Sequence, residues 1–231
     1  MEEESSLDFN FWASFADLML ALVLVLCMIL FLVKAVIALG SVNLDTVKNN
    51  QQTMINSIAQ KYNAVPILLG KDLYGISTNN TKLYDIEIQN DLNSQRITFS
   101  DKLLFRPDEI IVNPSGQIVL DTVGNILRTQ LPVVKEIQIQ GHADTQKSGK
   151  FANNTQLAAM RAIAVFEHLH NKVGIDPSEN LMSATTFGEY KSVQRGSDNA
   201  EYKWENLVAD NSTEELRSRN RRIEIVLLYR R

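Results

Sequence analysis

Between Leu18 and Val33 the chain reads LMLALVLVLCMILFLV, a run without a single charge. The apolar character extends back to Phe11 and on to Leu39. At about 1.5 Å of rise per residue, roughly 20 residues cross the hydrocarbon core of a bilayer, so residues 11–39 are expected to form one transmembrane helix. Glu2, Glu3, Glu4 and Asp8 stand where a secretory signal would carry basic residues, and no small-residue cleavage site follows. The helix is therefore expected to stay as an anchor behind a tail over residues 1–10. Asp17 sits at the start of the run. A carboxylate within hydrocarbon is costly and marks function, whereas one at headgroup depth is a plain interfacial residue; the span alone leaves both readings open. Lys34 follows the span and no basic residue precedes it, which by the positive-inside tendency alone would put the N-terminus outside.

Past the span, Gly40 to Tyr62 is polar, but Val42, Leu44, Val47, Met54, Ile55 and Ile58 recur at loosely helical spacing. This predicts a helical linker over residues 40–80 that could pair with a copy of itself. Pro66, Gly70 and Gly75 interrupt it, and the turn-like STNNT (Ser77 to Thr81) sets the start of a domain over residues 81–231. A net charge of −4 gives nucleic acid no basic face to bind. Cys27, the single cysteine, lies inside the span, so no internal disulfide supports the fold.

From Leu83 onward strand and helix signals alternate. LYDIEIQNDLNSQRITFS reads as two short strands, and NPSGQIVLDTVGNILRTQL opens a helix with Asn113 as cap and Pro114 at its first position. KEIQIQG alternates as a strand with Ile137 and Ile139 on one face. NTQLAAMRAIAVFEHLHNKVG is an amphipathic helix ending at Gly174, and LMSATTFGEY and RRIEIVLLY complete the strands. Strands with helices on one face make an α/β sandwich.

The ordered segments IQIQGHADTQ, NNTQLAAMRAIAV, TFGEY and NSTEELRSRNRRIEI resemble the signatures of OmpA-like peptidoglycan-binding domains. The resemblance covers about Ile97 to Leu228, with Ala158 standing where the family usually has serine, and with an expanded loop over Lys191 to Val208. It implies contact with the diaminopimelate of a peptidoglycan stem peptide, whose free end carries one ammonium and one carboxylate. Arg161 has the planar fork that takes a carboxylate, and Asp144 supplies an acceptor for the ammonium. Asn154 stands at the mouth of the same helix, whose N-terminal field favours an anion, and Leu157 is expected beneath the site. The resemblance makes Arg221 a support for the site, with Arg219 and Arg222 as surface charges. Alanine at Asp144 or Arg161 is then expected to abolish wall binding and leave the thermal melt nearly unchanged. His142 is expected to be a structural residue at a strand end. His168 and His170, two apart on one helix, face different directions. No metal-ligand spacing, no cofactor motif and no nucleophile with its base emerge, so a binder is expected, not an enzyme.

FWASFADLM, at the head of the leucine-rich span, resembles the start of the transmembrane helix in MotB-type stator subunits. This implies that Asp17 carries a proton or a sodium ion, its affinity for the proton raised by low dielectric. It also implies a multi-spanning MotA-type partner, five copies around a dimer of this chain, in the bacterial inner membrane. A wall-binding domain must then be periplasmic and the N-terminus cytoplasmic, against the weak charge signal. The acidic tail and polar extension depart from the basic tail and plug helix usual in flagellar MotB, and the FWASFADLM entry and compact length look more like ZorB, which would imply a ZorA-like partner and a role in Zorya anti-phage defence. A flagellar MotB-type subunit and a passive OmpA-like tether are the alternatives.

Overall fold

The computed structural model describes residues 11–78, 84–196 and 202–230. The expected tail over residues 1–10, the end of the STNNT turn and part of the expanded loop lie outside the described residues. The chain divides into two units, residues 1–45 and 46–231.

The first unit is built on helix α1 (Phe11–Lys61), of which Trp12–Ile37 is long and apolar enough to cross a membrane. At 1.5 Å per residue these 26 residues rise about 39 Å. Leucine, valine and isoleucine lie exposed all round the helix from Leu18 to Val33, the pattern of a segment whose surroundings are apolar. Asp17 stands five positions after Trp12, about 7.5 Å along the axis.

The second unit begins with the last turns of α1 and is organised by a seven-stranded sheet. Its strands are β1 (Ile67–Gly70), β2 (Leu73–Ile76), β3 (Ile86–Asn90), β4 (Ser94–Ser100), β5 (Val134–His142), β6 (Leu181–Gly188) and β7 (Arg222–Tyr229), in the order β1-β2-β3-β4-β7-β5-β6. All neighbours are antiparallel except β5 and β6. The helices are α2 (Asp101–Leu104), α3 (Pro114–Gln130), α4 (Asn154–His168), α5 (Trp204–Ala209) and α6 (Glu214–Asn220). Strand alternation sends Ile86, Ile88, Ile97, Phe99, Ile137, Ile139, Ile223 and Ile225 into one core, where they meet Leu120, Val123 and Leu127 of α3 and Ala162 and Val165 of α4. Asn113 caps α3 by accepting from Gly116 N at 2.7 Å, with Pro114 in the first turn. A π-helical turn, Leu169–Val173, extends α4 to Gly174, whose φ of 80° is the left-handed cap position glycine tolerates. Gly141 lets β5 approach α4 closely: a Cβ there would lie 2.1 Å from the Ala158 carbonyl oxygen.

The segment expected as a helical linker over residues 40–80 is helical as far as Lys61 and enters the sheet beyond Pro66. The helix stops at Lys61 and the chain turns through Asn63, at φ 49°. Pro66 cannot extend a helix behind it, and β1 and β2 then add to the sheet, Tyr74 pairing with Ile88. Val47, Met54, Ile55 and Ile58 are buried in this unit's own core. Their spacing marks a face turned to the sheet, where the sequence reading had offered it to a second copy.

On the side away from that core the sheet carries a polar network. Arg222 is buried, donates to the Glu224 carboxylate at 2.7 Å and reaches the Lys191 carbonyl. This corrects its reading as a surface charge: the segment around Lys191 covers the end of β7, so a polar strand position that pattern alone assigns to solvent is enclosed. His142 is buried beside them, stacked on Phe187 with Nε2 3.5 Å from Glu224. Burial pushes the imidazole down to about 4, and the charges of Arg222 and Lys191 press the same way, against the hydrogen bond of Glu224.

A histidine that ionises near 6.5 when unfolded and near 4 when folded leaves the unfolded chain holding more protons between those values, so stability falls as pH drops through that window. Replacing His142 with Gln should make the loss shallower. Urea unfolding of the full chain in detergent at pH 7.5, 6.5 and 5 should show the parent losing roughly 2 kcal/mol more than His142→Gln by pH 5. Parallel pH profiles would contradict the neutral buried imidazole.

Candidate functional site

Asp101, at the start of α2, Asp144, just past β5, Asn154, Leu157 and Arg161 of α4, and Arg221, just before β7, line one open cavity of about 350 Å³. Five of these are the residues the sequence singled out for wall binding; Asp101 was not among them. Asp17 belongs to the other unit.

Asp144 is only 4% exposed. One carboxylate oxygen accepts from Gln146 N at 3.0 Å, an aspartate turn that folds the chain back after β5, and the other accepts from the Arg221 guanidinium. Arg221 also donates to Glu214 on α6. Burial works to lower the ionisation of Arg221, but the bonds to Glu214 and Asp144 outweigh it and hold the guanidinium firmly charged. Asn154 is buried and bridges two walls, donating to the Asp144 carbonyl at 3.0 Å and to the Glu189 carboxylate beyond β6. Its own side-chain oxygen accepts from Ser148 N, which ties down the loop between β5 and α4. Asn153 caps α4, accepting from Gln156 N at 2.8 Å. Leu157 is buried and forms apolar floor.

Arg161 is also 4% exposed, and most of its fork is engaged within the fold. Nη1 pairs with Asp101 at 2.8 Å, Nε donates to the Glu109 carbonyl at 2.9 Å, and Nη2 donates to the Arg106 carbonyl at 3.2 Å. The guanidinium lies over the Phe105 ring, 5.0 Å from its centroid. Burial presses Arg161 downward and Asp101 upward, each resisted by the other; arginine nevertheless keeps its proton across the physiological range. Of five guanidinium N–H groups, three are thus committed to the fold and two remain. The turn that Arg161 holds contains Asp108, in left-handed backbone at φ 54°, whose carboxylate accepts from Gly149 N at 3.2 Å.

The cavity wall carries four acids, Asp101, Asp108, Asp144 and Glu214, and four bases, Lys102, Lys147, Arg161 and Arg221. A net ion would find as much repulsion as attraction there. A small group bearing both charges can satisfy both signs. Among the described residues no cluster of histidine, cysteine, aspartate and glutamate is arranged to hold a metal. Asp101, Asp108, Glu189 and Glu214 escaped the sequence reading because each joins the site through tertiary packing, with no spacing to Asp144 or Arg161 to betray it.

A cleft at the ends of two inner strands and the mouth of a helix, lined by balanced charges, in a mixed sheet backed by helices, defines a mixed α/β domain. The OmpA family model matches residues 104–221, about half the chain, and the chain belongs to the OmpA family. It is 29% identical over 136 residues to Motility protein B of Bacillus subtilis (strain 168), covering 58% of this chain and 45% of that protein. The chain thus spans about half the length of the curated relatives it matches. Among solved structures it resembles a putative MotB-like protein from Desulfovibrio vulgaris, with a TM-score of 0.58 and 21% identity over 80% of this chain and 98% of that one. It also resembles the periplasmic domain of Helicobacter pylori MotB, with a TM-score of 0.53 and 18% identity over 70% and 90% of the two chains. The fold is therefore an N-terminal apolar helix followed by a mixed α/β domain of the OmpA type, like those structures.

Removing the Arg161 side chain strands Asp101 in a buried setting and releases two backbone carbonyls. Arg161→Ala should therefore cost roughly 3 kcal/mol or more of folding stability, contrary to the neutral melt expected from sequence. Thermal unfolding of the full chain should show a clear drop for Arg161→Ala and partial recovery in Asp101→Leu/Arg161→Met. A melt identical to the parent would contradict the bracing role.

Proposed function

We propose that this chain is a wall-anchored, ion-driven subunit of an inner-membrane stator-like complex. The single observation that carries the reading is the balanced pair of charges in the cleft of an OmpA-family domain, on the same chain as a spanning helix with Asp17 near its start. The cleft grips the diaminopimelate end of a peptidoglycan stem. The ammonium is drawn to Asp144, and the carboxylate to Arg221 and the two remaining N–H groups of Arg161, with Asn154 and Leu157 fixing the approach. Such a site binds and catalyses nothing.

Asp17 carries the ion. A carboxylate within hydrocarbon needs a partner or a water path, and a single helix encloses neither, so a MotA-type multi-spanning subunit surrounds two copies of this chain. The C-terminal unit is periplasmic and the N-terminus cytoplasmic. Each charge that crosses is worth about 2.3 kcal/mol per 100 mV, and the wall bond supplies the fixed point against which that energy does mechanical work.

The particular system is Zorya anti-phage defence, with a ZorA-like partner, a reading supported by FWASFADLM and the polar segment after the span. The likeness to Motility protein B supports a flagellar role as the second reading. The two differ only in the cellular output that Asp17 drives.

Two substitutions separate anchor from motor. Asp144→Asn keeps size and hydrogen-bonding capacity but removes a buried charge, and should lower binding to purified sacculi more than tenfold; undiminished binding would remove Asp144 from the site. Asp17→Asn should bind sacculi like the parent and co-purify with its partner, yet abolish phage protection, or swimming under the second reading. Full activity of Asp17→Asn would leave the chain a passive tether.

A further inference from the structure

Beside the charged cleft lies a second cavity, of about 480 Å³, floored by Phe151, Trp204 and Val208 and rimmed by Asn153, Glu189 and Lys147. Trp204, the first residue of α5, is 59% exposed, and Val208 one turn later is 48% exposed. Large apolar side chains do not ordinarily sit in the open around a polar rim without a partner. The cavity adjoins the charged cleft, with Lys147 and Ser148 lining both. Asn154 joins them from beneath, donating to the Asp144 carbonyl on one side and to Glu189 on the other.

We propose that this second cavity is a saccharide subsite, which takes an N-acetylated sugar ring of the glycan strand while the charged cleft takes the peptide stem. A pyranose has one face made largely of C–H groups and an edge of hydroxyls. The first packs on an aromatic plane and the second needs polar side chains around it. Trp204 and Phe151 supply the plane. Asn153, Lys147 and Glu189 supply donors and acceptors at the rim, and Glu189 is held in place by Asn154. The adjacency of the two cavities selects the occupant: the inference rests on the stem-binding reading, since a stem in the first cleft is covalently joined to a sugar that must lie within reach.

Trp204 and Trp12 are the chain's two tryptophans, so a Trp12→Phe background makes Trp204 the sole indole reporter. The full chain in detergent is compared on three probes: intact sacculi, glycan strands stripped of peptide by an amidase, and the free diaminopimelate-containing tetrapeptide. Trp204→Ala should weaken sacculus binding about tenfold, as loss of an interfacial tryptophan does. Trp204→Phe should restore most of it, and both should bind free tetrapeptide like the parent. Stripped glycan should shift the Trp204 emission. Unchanged sacculus binding by Trp204→Ala, no emission shift with stripped glycan, or equal loss of tetrapeptide binding would each overturn the subsite. If tetrapeptide binds and stripped glycan does not, the saccharide subsite falls and the stem site stands. If stripped glycan binds and tetrapeptide does not, the stem site falls alone.

Discussion

Taking a guanidinium out of water costs several kcal/mol unless its charge and its N–H groups are met, and the domain around the cleft is arranged to meet those of Arg161. Asp101 answers the charge, the carbonyls of Arg106 and Glu109 take two donors, and Phe105 lies against the plane. The partners come from α2 and the turn after it, some fifty to sixty residues away in sequence from α4. Through the same turn Asp108 holds Gly149 of the loop that carries Asp144 into place. One buried cation thus fixes three walls of the cleft. In the proposed complex its remaining donors would meet the ligand already oriented, so little freedom would be lost when a carboxylate binds.

The second pair, Asp144 with Arg221, works differently. It is less enclosed, and Glu214 competes for the same guanidinium from an exposed position. A ligand bearing both charges can insert between such partners without leaving either alone, because its ammonium replaces the guanidinium at Asp144 while its carboxylate occupies Arg221. That exchange suits an anchor that must bear load in the proposed complex: the grip is polar and reversible, while the scaffold behind it is not.

Much of this was legible in the sequence, where one face of an element meets the core. Ile137 and Ile139, the Asn113 cap, Pro114 and the Gly174 terminus declared their elements through period and backbone preference, and the structure places them as read. The spanning helix was legible from length and lack of charge. What failed did so where tertiary cover changed the meaning of a local pattern. Val47, Met54, Ile55 and Ile58 showed their helical stripe but not which surface would bury it. ILLG and LYGI, four residues each and carrying Gly70 and Gly75, were too short to stand out after Pro66, and Arg222 read as exposed because nothing local showed that the chain near Lys191 would cover it. For the site, residue types pointed to opposite charges held close. The partners Asp101 and Glu109 could not be seen, since long-range packing alone brings them to Arg161.

The central claim is that the cleft recognises a group bearing an ammonium and a carboxylate together. The direct measurement is calorimetric titration of the full chain with two stem tetrapeptides that differ only at the third residue, diaminopimelate in one and lysine in the other. Lysine keeps the ammonium and lacks the carboxylate. The account predicts that the diaminopimelate peptide binds at least tenfold more tightly, since lysine forfeits the charge-assisted bonds that a carboxylate makes to the guanidinium groups of the cleft. Equal affinity for the two peptides would contradict it.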